Sequence, residues 1–391
     1  MKKDILPPLF ITVCFFLIFD INAAELLYSG TRPENIYQLW ESGYRNILTG
    51  NVTGKGRDCL LYAMDDTIYA YQYKEDDWQL LFSFFHERYA GRLAEVHDQQ
   101  NSIDWTVGDI DGNGYDEIIC INDSIISVHS WNKEEYNAEA YPVPFSSEQM
   151  ISGDIDGDGK DELAVFCVKG EIEQYKWGKL ELSIWKFKDD SFRKIWTDES
   201  ALGYTYSFTI PPDFLQSMGK YGRDNKRYVI ISKAQSDVSP TVYEFLKWTN
   251  NRLERIAQRN FIKPGAYYPA PAVRKDAVNR RNRKIESYKA HFGSSRLIPE
   301  YYICGHIDLV EYKKQDYILG QICGSTDNTG YALISIKYDL ASSSWKIKQF
   351  FGGSWSQGLW MNIDGKGEGA LLLLLCTDKD RFYQYDYVFY R

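Results

Sequence analysis

Apolar and polar residues alternate along much of the chain, in short stretches that meet at polar turns. Such paired stretches occupy residues 68–82, 183–196, 242–256 and 333–349. A period of two on both sides of a turn predicts antiparallel hairpins, because alternate side chains of a strand point to opposite faces. The dominant pattern therefore predicts an all-β chain.

Four uninterrupted apolar runs form a second pattern, and each follows a glycine-containing turn. The runs cover residues 60–62, 118–121, 163–166 and 370–375. Short apolar runs of this kind predict strands that are buried on both faces. A turn, a buried strand and a hairpin together make a four-stranded repeat of about 45–60 residues, the size of one propeller blade.

The two ends of the chain complement each other. The last repeat supplies three strands, near Leu359, at 370–376 and at 382–389, whereas segment 36–42 resembles the outer strand of another repeat. An N-terminal strand that completes the last blade closes the ring and leaves no open sheet edge. The predicted fold is a β-propeller of four-stranded blades. Seven blades are favoured, mainly because of the resemblance to a repeat family described below, and six are the alternative. The count depends on whether 258–300 is a degenerate blade or an insertion.

The first 24 residues have the features of a cleaved secretory signal. Lys2 and Lys3 precede an apolar stretch over 5–21, and small residues at 22–24 offer a cleavage site. An uncleaved membrane anchor is the alternative, but the stretch is short and interrupted by two prolines and Asp20, which argues against one. No stable membrane span is therefore expected after cleavage of the signal. The prediction is an exported protein (periplasmic, cell-surface or secreted) with a single propeller domain over 25–391.

Export also permits disulfides among the six cysteines that follow the signal. Segment 301–324 is predicted to be a hairpin that turns at 312–315, which would place Cys304 and Cys323 opposite each other. A disulfide between them is one interpretation, and a pair of buried thiols is the other.

Composition narrows the partners. The formal net charge is −9, with 45 basic and 54 acidic residues. Because a nucleic-acid-binding protein usually has a basic excess, no nucleic-acid partner is expected. Aromatic residues reach 16%, which suits the half-buried surface of strands. Most of this surplus is interpreted as hairpin packing between blades, and a smaller part as platforms on which sugars could stack.

Two segments, 107–118 and 152–163, repeat each other almost residue for residue and contain acidic loops. Oxygen groups occupy alternating positions of each loop: the side chains of Asp109, Asp111, Asn113 and Glu117 with the Tyr115 carbonyl, and those of Asp154, Asp156, Asp158 and Glu162 with the Lys160 carbonyl. Hard oxygen ligands of this number suit Ca²⁺. Neither loop contains His or Cys, which argues against zinc and copper.

An EF-hand is excluded because its twelfth position requires Glu, and here Cys120 or Val165 stands there. The interpretation is therefore two structural Ca²⁺ sites, with Asp116 and Asp161 as loop-capping or solvated residues. Weaker copies at 50–58 and 361–368 have Lys55 and Lys366 where an oxygen ligand belongs. The hypothesis for these copies is that the Lys ammonium group takes the place of the ion, as a charge partner for Asp58 in the first copy or for Asp364 and Glu368 in the second.

These loops resemble the FG-GAP/VCBS repeat family, whose hallmark is Asp-x-[Asp/Asn]-Gly-[Asp/Asn]-Gly-x-x-[Asp/Glu] before an apolar strand. The family includes the propeller of integrin α-subunits and many bacterial exported proteins. The resemblance implies a calcium-bound β-propeller, often of seven blades, that serves adhesion or ligand binding.

The predicted function is a non-catalytic binding or adhesion module for a glycan or a protein partner. A basic segment at 274–289 is interpreted as the solvated face of an insertion, and docking of an anionic glycan or an acidic partner is the alternative. No catalytic residue is assigned, because the sequence has no Gly-x-Ser-x-Gly, no P-loop and no HExxH motif. The alternative function is a calcium-dependent polysaccharide lyase, for which Lys160 beside the second loop is the local candidate.

Overall fold

The fold was analysed in a computed structural model of the chain. The structure describes residues 26–31, 47–64, 66–74, 77–86, 104–132, 135–147, 149–169, 178–198, 204–206, 214–222, 226–233, 242–259, 262–263, 301–312, 315–324, 327–339, 344–352, 355–363, 365, 370–376 and 385–390. The predicted signal at 1–24 and the basic segment at 274–289 lie outside these residues.

The described residues form strands that pair into antiparallel sheets, numbered I to VI here in chain order. Four sheets have four strands and two have a fifth. Sheet I contains β2 (Ile47–Gly50), β3 (Cys59–Met64), β4 (Thr67–Lys74) and β5 (Asp77–Phe85), and sheet II contains β6 (Trp105–Gly108), β7 (Glu117–Asn122), β8 (Ile125–Asn132) and β9 (Glu135–Pro142). Sheet III contains β10 (Gln149–Gly153), β11 (Glu162–Lys169), β12 (Gly178–Phe187), β13 (Phe192–Thr197) and β14 (Tyr204–Tyr206), and sheet IV contains β15 (Phe214–Lys220), β16 (Arg227–Lys233), β17 (Val242–Thr249) and β18 (Arg252–Arg259). Sheet V contains β19 (Ile262–Lys263), β20 (Tyr301–Tyr312), β21 (Gln315–Gly324), β22 (Asp327–Asp339) and β23 (Ser344–Gly352), and sheet VI contains β24 (Trp355–Met361), β25 (Ala370–Cys376), β26 (Tyr385–Tyr390) and the first strand of the chain, β1 (Leu26–Thr31).

Consecutive sheets are neighbours in space. Strand β2 contacts β6, β6 contacts β10, β10 contacts β15, and β15 contacts β20. Strand β24 then contacts β22 of sheet V and β2 of sheet I. The all-β propeller predicted from the sequence is thus present, but the favoured count of seven blades is not supported by the sheets that the described residues form.

Sheet VI contains strands from both ends of the chain, as predicted. Strand β1 pairs antiparallel with β26, with Ser29 opposite Val388 and Gly30 opposite Tyr387. The closing strand is therefore 26–31, and the segment predicted for this place, 36–42, lies outside the described residues. Pairing with β1 satisfies backbone groups of β26 that would otherwise form an open edge.

The apolar runs at 118–121 and 163–166 are buried strands because a neighbouring sheet covers each of their faces. In β11, Leu163 and Val165 pack with residues of sheet II, whereas Ala164 and Phe166 pack with residues of sheet IV. Strand β7 alternates in the same way between sheets I and III. Successive side chains of a strand point to opposite faces, so a strand between two sheets must be apolar at every position.

Aromatic side chains fill the space between the outer strands of neighbouring sheets. Phe82 of β5 stacks on Trp131 of β8 at 5.0 Å between ring centroids, and Phe84 stacks on His129 at 4.2 Å. Between sheets II and III, Tyr141 meets Phe187 edge-on at 5.1 Å. These contacts agree with the interpretation that hairpin packing accounts for much of the aromatic surplus.

The four predicted hairpins are β4–β5, β12–β13, β17–β18 and β22–β23, and the predicted hairpin at 301–324 is β20–β21. The last of these differs in one detail. Its register runs regularly from Tyr312–Gln315 to Ile307–Gly320, and a bulge then shifts it, so that Cys304 lies opposite Gln321 and Cys323 opposite Tyr302. The bulge is the reason that the two cysteines are not opposite each other, as the sequence had suggested.

Among the described residues, no helix has the length and apolar character needed to cross a membrane.

Packing between sheets makes a quantitative prediction at Phe166, which is fully buried between sheets III and IV. Phe166→Ala should lower the free energy of unfolding by about 3–5 kcal/mol, because it leaves a cavity in a close-packed core. Phe85→Ala is the control, since Phe85 is 71% exposed and its loss should change stability by less than about 0.5 kcal/mol. Denaturant titration measures both, and equal effects would contradict the two-sided burial described for β11.

Candidate metal centre

The first acidic loop joins β6 to β7 and is curled by its own side chains. Asp109 Oδ1 accepts hydrogen bonds from the amides of Gly112 (2.8 Å) and Asn113 (3.0 Å), and Asp109 Oδ2 accepts one from Gly114 (2.9 Å). Asp111 Oδ1 accepts a further bond from the Asn113 amide at 2.9 Å. Gly112 and Gly114 have φ angles of 78° and 86°, which glycine adopts without strain.

Glu117 is the first residue of β7, and its carboxylate lies against this loop. Its side chain is buried, and Oε2 accepts a hydrogen bond from the Ile110 amide at 3.1 Å. Oε1 is buried without a hydrogen-bond partner among the described residues. Burial, and next the charge of Asp111, raise the pKa of Glu117 from 4.5 to about 8.

The structure brings three of the predicted ligands of the first loop together. One carboxylate oxygen from each of Asp109, Asp111 and Glu117 lies within 4.8 Å of the others. Converging carboxylates with an unpartnered buried oxygen suit a divalent cation with oxygen ligands. The Asn113 side chain lies beside them, since its Nδ2 donates to Asp111 Oδ2 at 2.9 Å. The Tyr115 amide donates to Asn113 Oδ1 at 2.7 Å, and ligation by the Tyr115 carbonyl stays a prediction.

The second acidic loop joins β10 to β11 and repeats this geometry. Asp154 Oδ1 accepts from the Gly157 amide at 2.6 Å, and Glu162 Oε2 accepts from the Ile155 amide at 3.0 Å. Oxygens of Asp154, Asp156 and Glu162 again lie within 4.8 Å of one another. Asp158 Oδ1 accepts from the Lys160 amide at 3.0 Å, and ligation by the Lys160 carbonyl stays a prediction.

Two cations distinguish the second loop from the first. Lys186 Nζ of β12 lies 2.5 Å from Asp156 Oδ2, 2.7 Å from Asp158 Oδ2 and 2.8 Å from Glu162 Oε1. Arg227 of β16 donates to Asp154 Oδ2 at 3.0 Å. Sequence reasoning missed both residues. Lys186 could have been found by pairing the predicted hairpin with the strand before it, because Leu163 lies opposite Trp185.

Asp116 and Asp161 join consecutive loops. Asp116 Oδ2 accepts the Asn51 amide at 2.6 Å, and the Asp116 amide donates to the Asn51 carbonyl at 3.2 Å. Asp161 bridges in the same way to Asp109, at 3.1 Å and 2.8 Å. The loop-capping role predicted for these residues is thus found, and each caps the loop of the preceding repeat.

The same bridge continues in a weaker copy of the loop. Asp58 Oδ2 accepts the Asn362 amide at 2.5 Å, and the Asp58 amide donates to the Asn362 carbonyl at 2.8 Å. Three equivalent aspartates therefore join sheet VI to sheet I, sheet I to sheet II, and sheet II to sheet III. Burial raises the pKa of Asp58 to about 6 and that of Asp161 to about 7, and also raises that of Asp116.

At the junction of sheets I and II and at that of sheets II and III, a glycine lies against the bridging carboxylate. A Cβ atom on Gly50 would collide with Val107 and touch Asp116, and one on Gly108 would collide with Asp161 and Ser152. These glycines are required by close approach of neighbouring sheets.

A second inter-loop contact lies one residue before each bridging aspartate. The Tyr115 ring covers Gly54, and the Lys160 side chain covers Gly112. Lys160 Nζ also donates to the Asp111 carbonyl at 2.6 Å. Lys160 therefore contacts the first acidic loop through its side chain, although the sequence assigned it to the second loop.

The hypothesis that a lysine replaces the ion in the weaker copies can be examined for Lys55 but not for Lys366. Lys55 is exposed, and Asp58, its suggested charge partner, accepts the Asn362 amide instead. Lys366 lies outside the described residues, so its hypothesis stays a prediction.

No protein-family model matches the chain, and no curated protein does. Solved structures do match along most of its length. An exotype rhamnogalacturonan lyase, YesX, is 11% identical over 87% of this chain and 72% of its own, with a TM-score of 0.34. A rhamnogalacturonan lyase from Bacillus licheniformis is 12% identical over 85% and 73%, with a TM-score of 0.32. A putative 6-phosphogluconolactonase from Bacteroides uniformis is 9% identical over 82% and 76%, with a TM-score of 0.35.

The bridging aspartates predict a stability effect without any metal. Asp116→Ala should lower the free energy of unfolding by about 1–3 kcal/mol, because the Asn51 amide loses a charged partner in a partly buried place. Asn137→Ala is the control, since Asn137 is exposed and its loss should cost less than about 0.5 kcal/mol. Denaturant titration in chelator measures the difference, and equal values would argue against the bridge.

Glu117 predicts how stability depends on pH. Its folded pKa of about 8 lies above its ordinary 4.5, so the folded state holds a proton that the unfolded state has lost between these values. In chelator, this contribution to stability is complete below about pH 4.5 and is lost as pH rises through about 8. Thermal unfolding at a series of pH values measures it, with Glu117→Gln as the variant in which the corresponding fall disappears. A wild type and a variant that lose stability equally would contradict the assignment.

Proposed function

We propose that this protein is an exported, calcium-stabilised β-propeller that acts as a non-catalytic binding or adhesion module for a glycan or a protein partner. The observation that supports calcium is the convergence of Asp109, Asp111 and Glu117 around a buried carboxylate oxygen with no hydrogen-bond partner. All of these ligands are oxygens, as Ca²⁺ prefers.

The position of the loop favours a structural role for the ion. Asp109 receives the bridge from Asp161 of sheet III, and the neighbouring Asp116 bridges to Asn51 of sheet I. An ion held by Asp109, Asp111 and Glu117 would therefore stiffen a loop that contacts both neighbouring sheets. It would also neutralise carboxylates that are costly to bury together.

A binding role follows from the architecture and the resemblance to FG-GAP/VCBS repeats. Rigid sheets present their connecting loops at the surface, which is where ligand contacts commonly lie. The basic segment at 274–289 is the proposed docking element for an anionic partner, because it contrasts with the net charge of −9 of the chain.

One contact keeps the lyase alternative in view. A lyase needs a basic side chain near its cation, and Lys160 Nζ lies 2.6 Å from the Asp111 carbonyl of the first loop. In that alternative, the neutral amine of Lys160 would take the proton from the carbon next to the carboxylate of a uronic acid, whose charge the ion would neutralise. The glycosidic C–O bond on the adjacent ring carbon would then break to leave a C=C double bond, and the leaving oxygen would take a proton from water.

Calcium removal tests the proposed stabilisation. An ion that binds only the folded state adds about 2.7 kcal/mol at a free concentration of a hundred times its Kd. Chelator should therefore lower the Tm of the wild type, and added Ca²⁺ should restore it while Mg²⁺ at the same concentration does not. Asp111→Asn is the control and should show little response. An unchanged wild-type Tm in chelator would refute the calcium proposal.

Ligand screening tests binding against catalysis. The purified protein, with calcium, is applied to a glycan array and incubated in parallel with uronic-acid polysaccharides. Binding without release of unsaturated sugars is the expected result. Release of unsaturated sugars that is lost in Lys160→Ala would contradict the binding module and support the lyase.

A further inference from the structure

Lys186 occupies the second acidic loop as a cation would. Its ammonium nitrogen lies between 2.5 and 2.8 Å from three carboxylate oxygens, those of Asp156, Asp158 and Glu162. Asp156 and Glu162 belong to the converging cluster, and Asp158 was a predicted ligand. The Lys186 side chain is only 16% exposed, so water screens these contacts weakly.

Strand pairing fixes this position. Strand β12 pairs with β11 so that Leu163 lies opposite Trp185, and the next position on each strand brings Lys186 alongside Glu162. The buried glutamate is the residue that both loops share, as Glu117 and Glu162. A lysine at this place on β12 is therefore aimed at the centre of the loop by the sheet itself.

Each carboxylate of the second loop has a cationic partner, which is Lys186 for Asp156, Asp158 and Glu162 and Arg227 for Asp154. Burial alone would lower the pKa of Lys186, but its hydrogen bonds to the three carboxylates outweigh burial and raise that pKa above its ordinary value. Arg227 supplies a second positive charge to Asp154. A calcium ion entering this loop would have to displace the ammonium group or lie against it, and like charges at such distances repel strongly.

The equivalent place in the first loop is uncharged. Strand β8 pairs with β7 so that Ile118 lies opposite His129, and the next position on each strand brings Ser130 alongside Glu117. Glu117 Oε1 and Glu162 Oε1 are both buried without a hydrogen-bond partner among the described residues. The difference is that the Lys186 ammonium lies 2.8 Å from Glu162 Oε1, whereas no ion pair to Glu117 is formed by the described residues. The nearby Lys160 ammonium donates to a backbone carbonyl, that of Asp111.

We propose that Lys186 is an internal cation that takes the place of calcium in the second loop, so that of these two acidic loops the first binds a structural Ca²⁺ and the second does not. The residue opposite the buried glutamate thus decides which loop takes a metal: serine leaves the first loop open, and lysine closes the second. This inference rests on the proposed calcium function of the first loop, and it replaces the two equivalent sites that the sequence predicts.

A reciprocal exchange of the two residues tests this assignment. Ca²⁺ binding is measured by isothermal titration calorimetry and by native mass spectrometry on the wild type, Lys186→Ser, Ser130→Lys and the control Lys179→Ser. Lys179 lies on the same strand as Lys186 with an exposed side chain. Relative to the wild type, Lys186→Ser should gain one ion, Ser130→Lys should lose one, and Lys179→Ser should be unchanged.

Thermal stability gives a second readout. Lys186→Ser should melt lower than the wild type in chelator, because its carboxylates lose their cation, and should recover in Ca²⁺. If Lys186→Ser does not fold in chelator, refolding in Ca²⁺ but not in Mg²⁺ is the supporting result. Ser130→Lys should be insensitive to chelator.

The outcomes separate this proposal from the one on which it rests. An ion that Asp156→Asn removes from the wild type, alone or beside one that Asp111→Asn removes, would overturn the role of Lys186 and leave calcium binding in place. Ser130→Lys that keeps the ion removed by Asp111→Asn would overturn it as well. A wild type that binds no calcium would refute the calcium function of the first loop, whereas a gain of one ion in Lys186→Ser would still support Lys186 as an internal cation.

Discussion

Burial of carboxylates between consecutive loops is the constraint on which the arrangement of sheets depends. Each bridging aspartate forms a two-bond clasp with the first residue of the preceding loop, through its side chain in one direction and its amide in the other. The clasps join sheets VI, I, II and III. They require glycines at Gly50 and Gly108, because any larger residue would block the approach, and they fix each acidic loop relative to its neighbours.

The same constraint creates a need for positive charge. Each clasp places a partly buried carboxylate next to the loop that contains the converging acids, and like charges this close oppose folding unless a cation neutralises them. The two acidic loops differ in the source of this positive charge. The second loop uses Lys186 and Arg227, which come from strands of sheets III and IV. The first loop has Ser130 at the position equivalent to Lys186, and there we propose that a calcium ion neutralises the carboxylates.

Much of the fold was predictable because it depends on local patterns. Continuous apolar runs identified strands that are covered on both faces, as at 163–166, and period-two alternation identified the hairpins. The glycine and aspartate spacing identified both loops and the convergence of Asp109 with Glu117. These features depend on residues close in sequence, where the geometry of a turn or a strand limits the possible arrangements.

The rest depended on pairing between distant residues. A bulge after Cys304 shifts a register that spacing alone made regular. The closing strand lies at 26–31 because its pairing with β26 is a contact between the chain ends, which the resemblance of 36–42 to an outer strand did not reveal. Lys186 is adjacent to Glu162 only across a strand pair. The role of Asp161 becomes visible only when the preceding loop is in place.

The most direct test of this account is a crystal structure of the protein grown in calcium. The account predicts one calcium ion bound by Asp109, Asp111 and Glu117, with Lys186 Nζ within hydrogen-bond distance of Asp156, Asp158 and Glu162 in the same crystal. An ion in the second loop with Lys186 displaced would contradict the account, and so would a first loop that stays empty at saturating calcium.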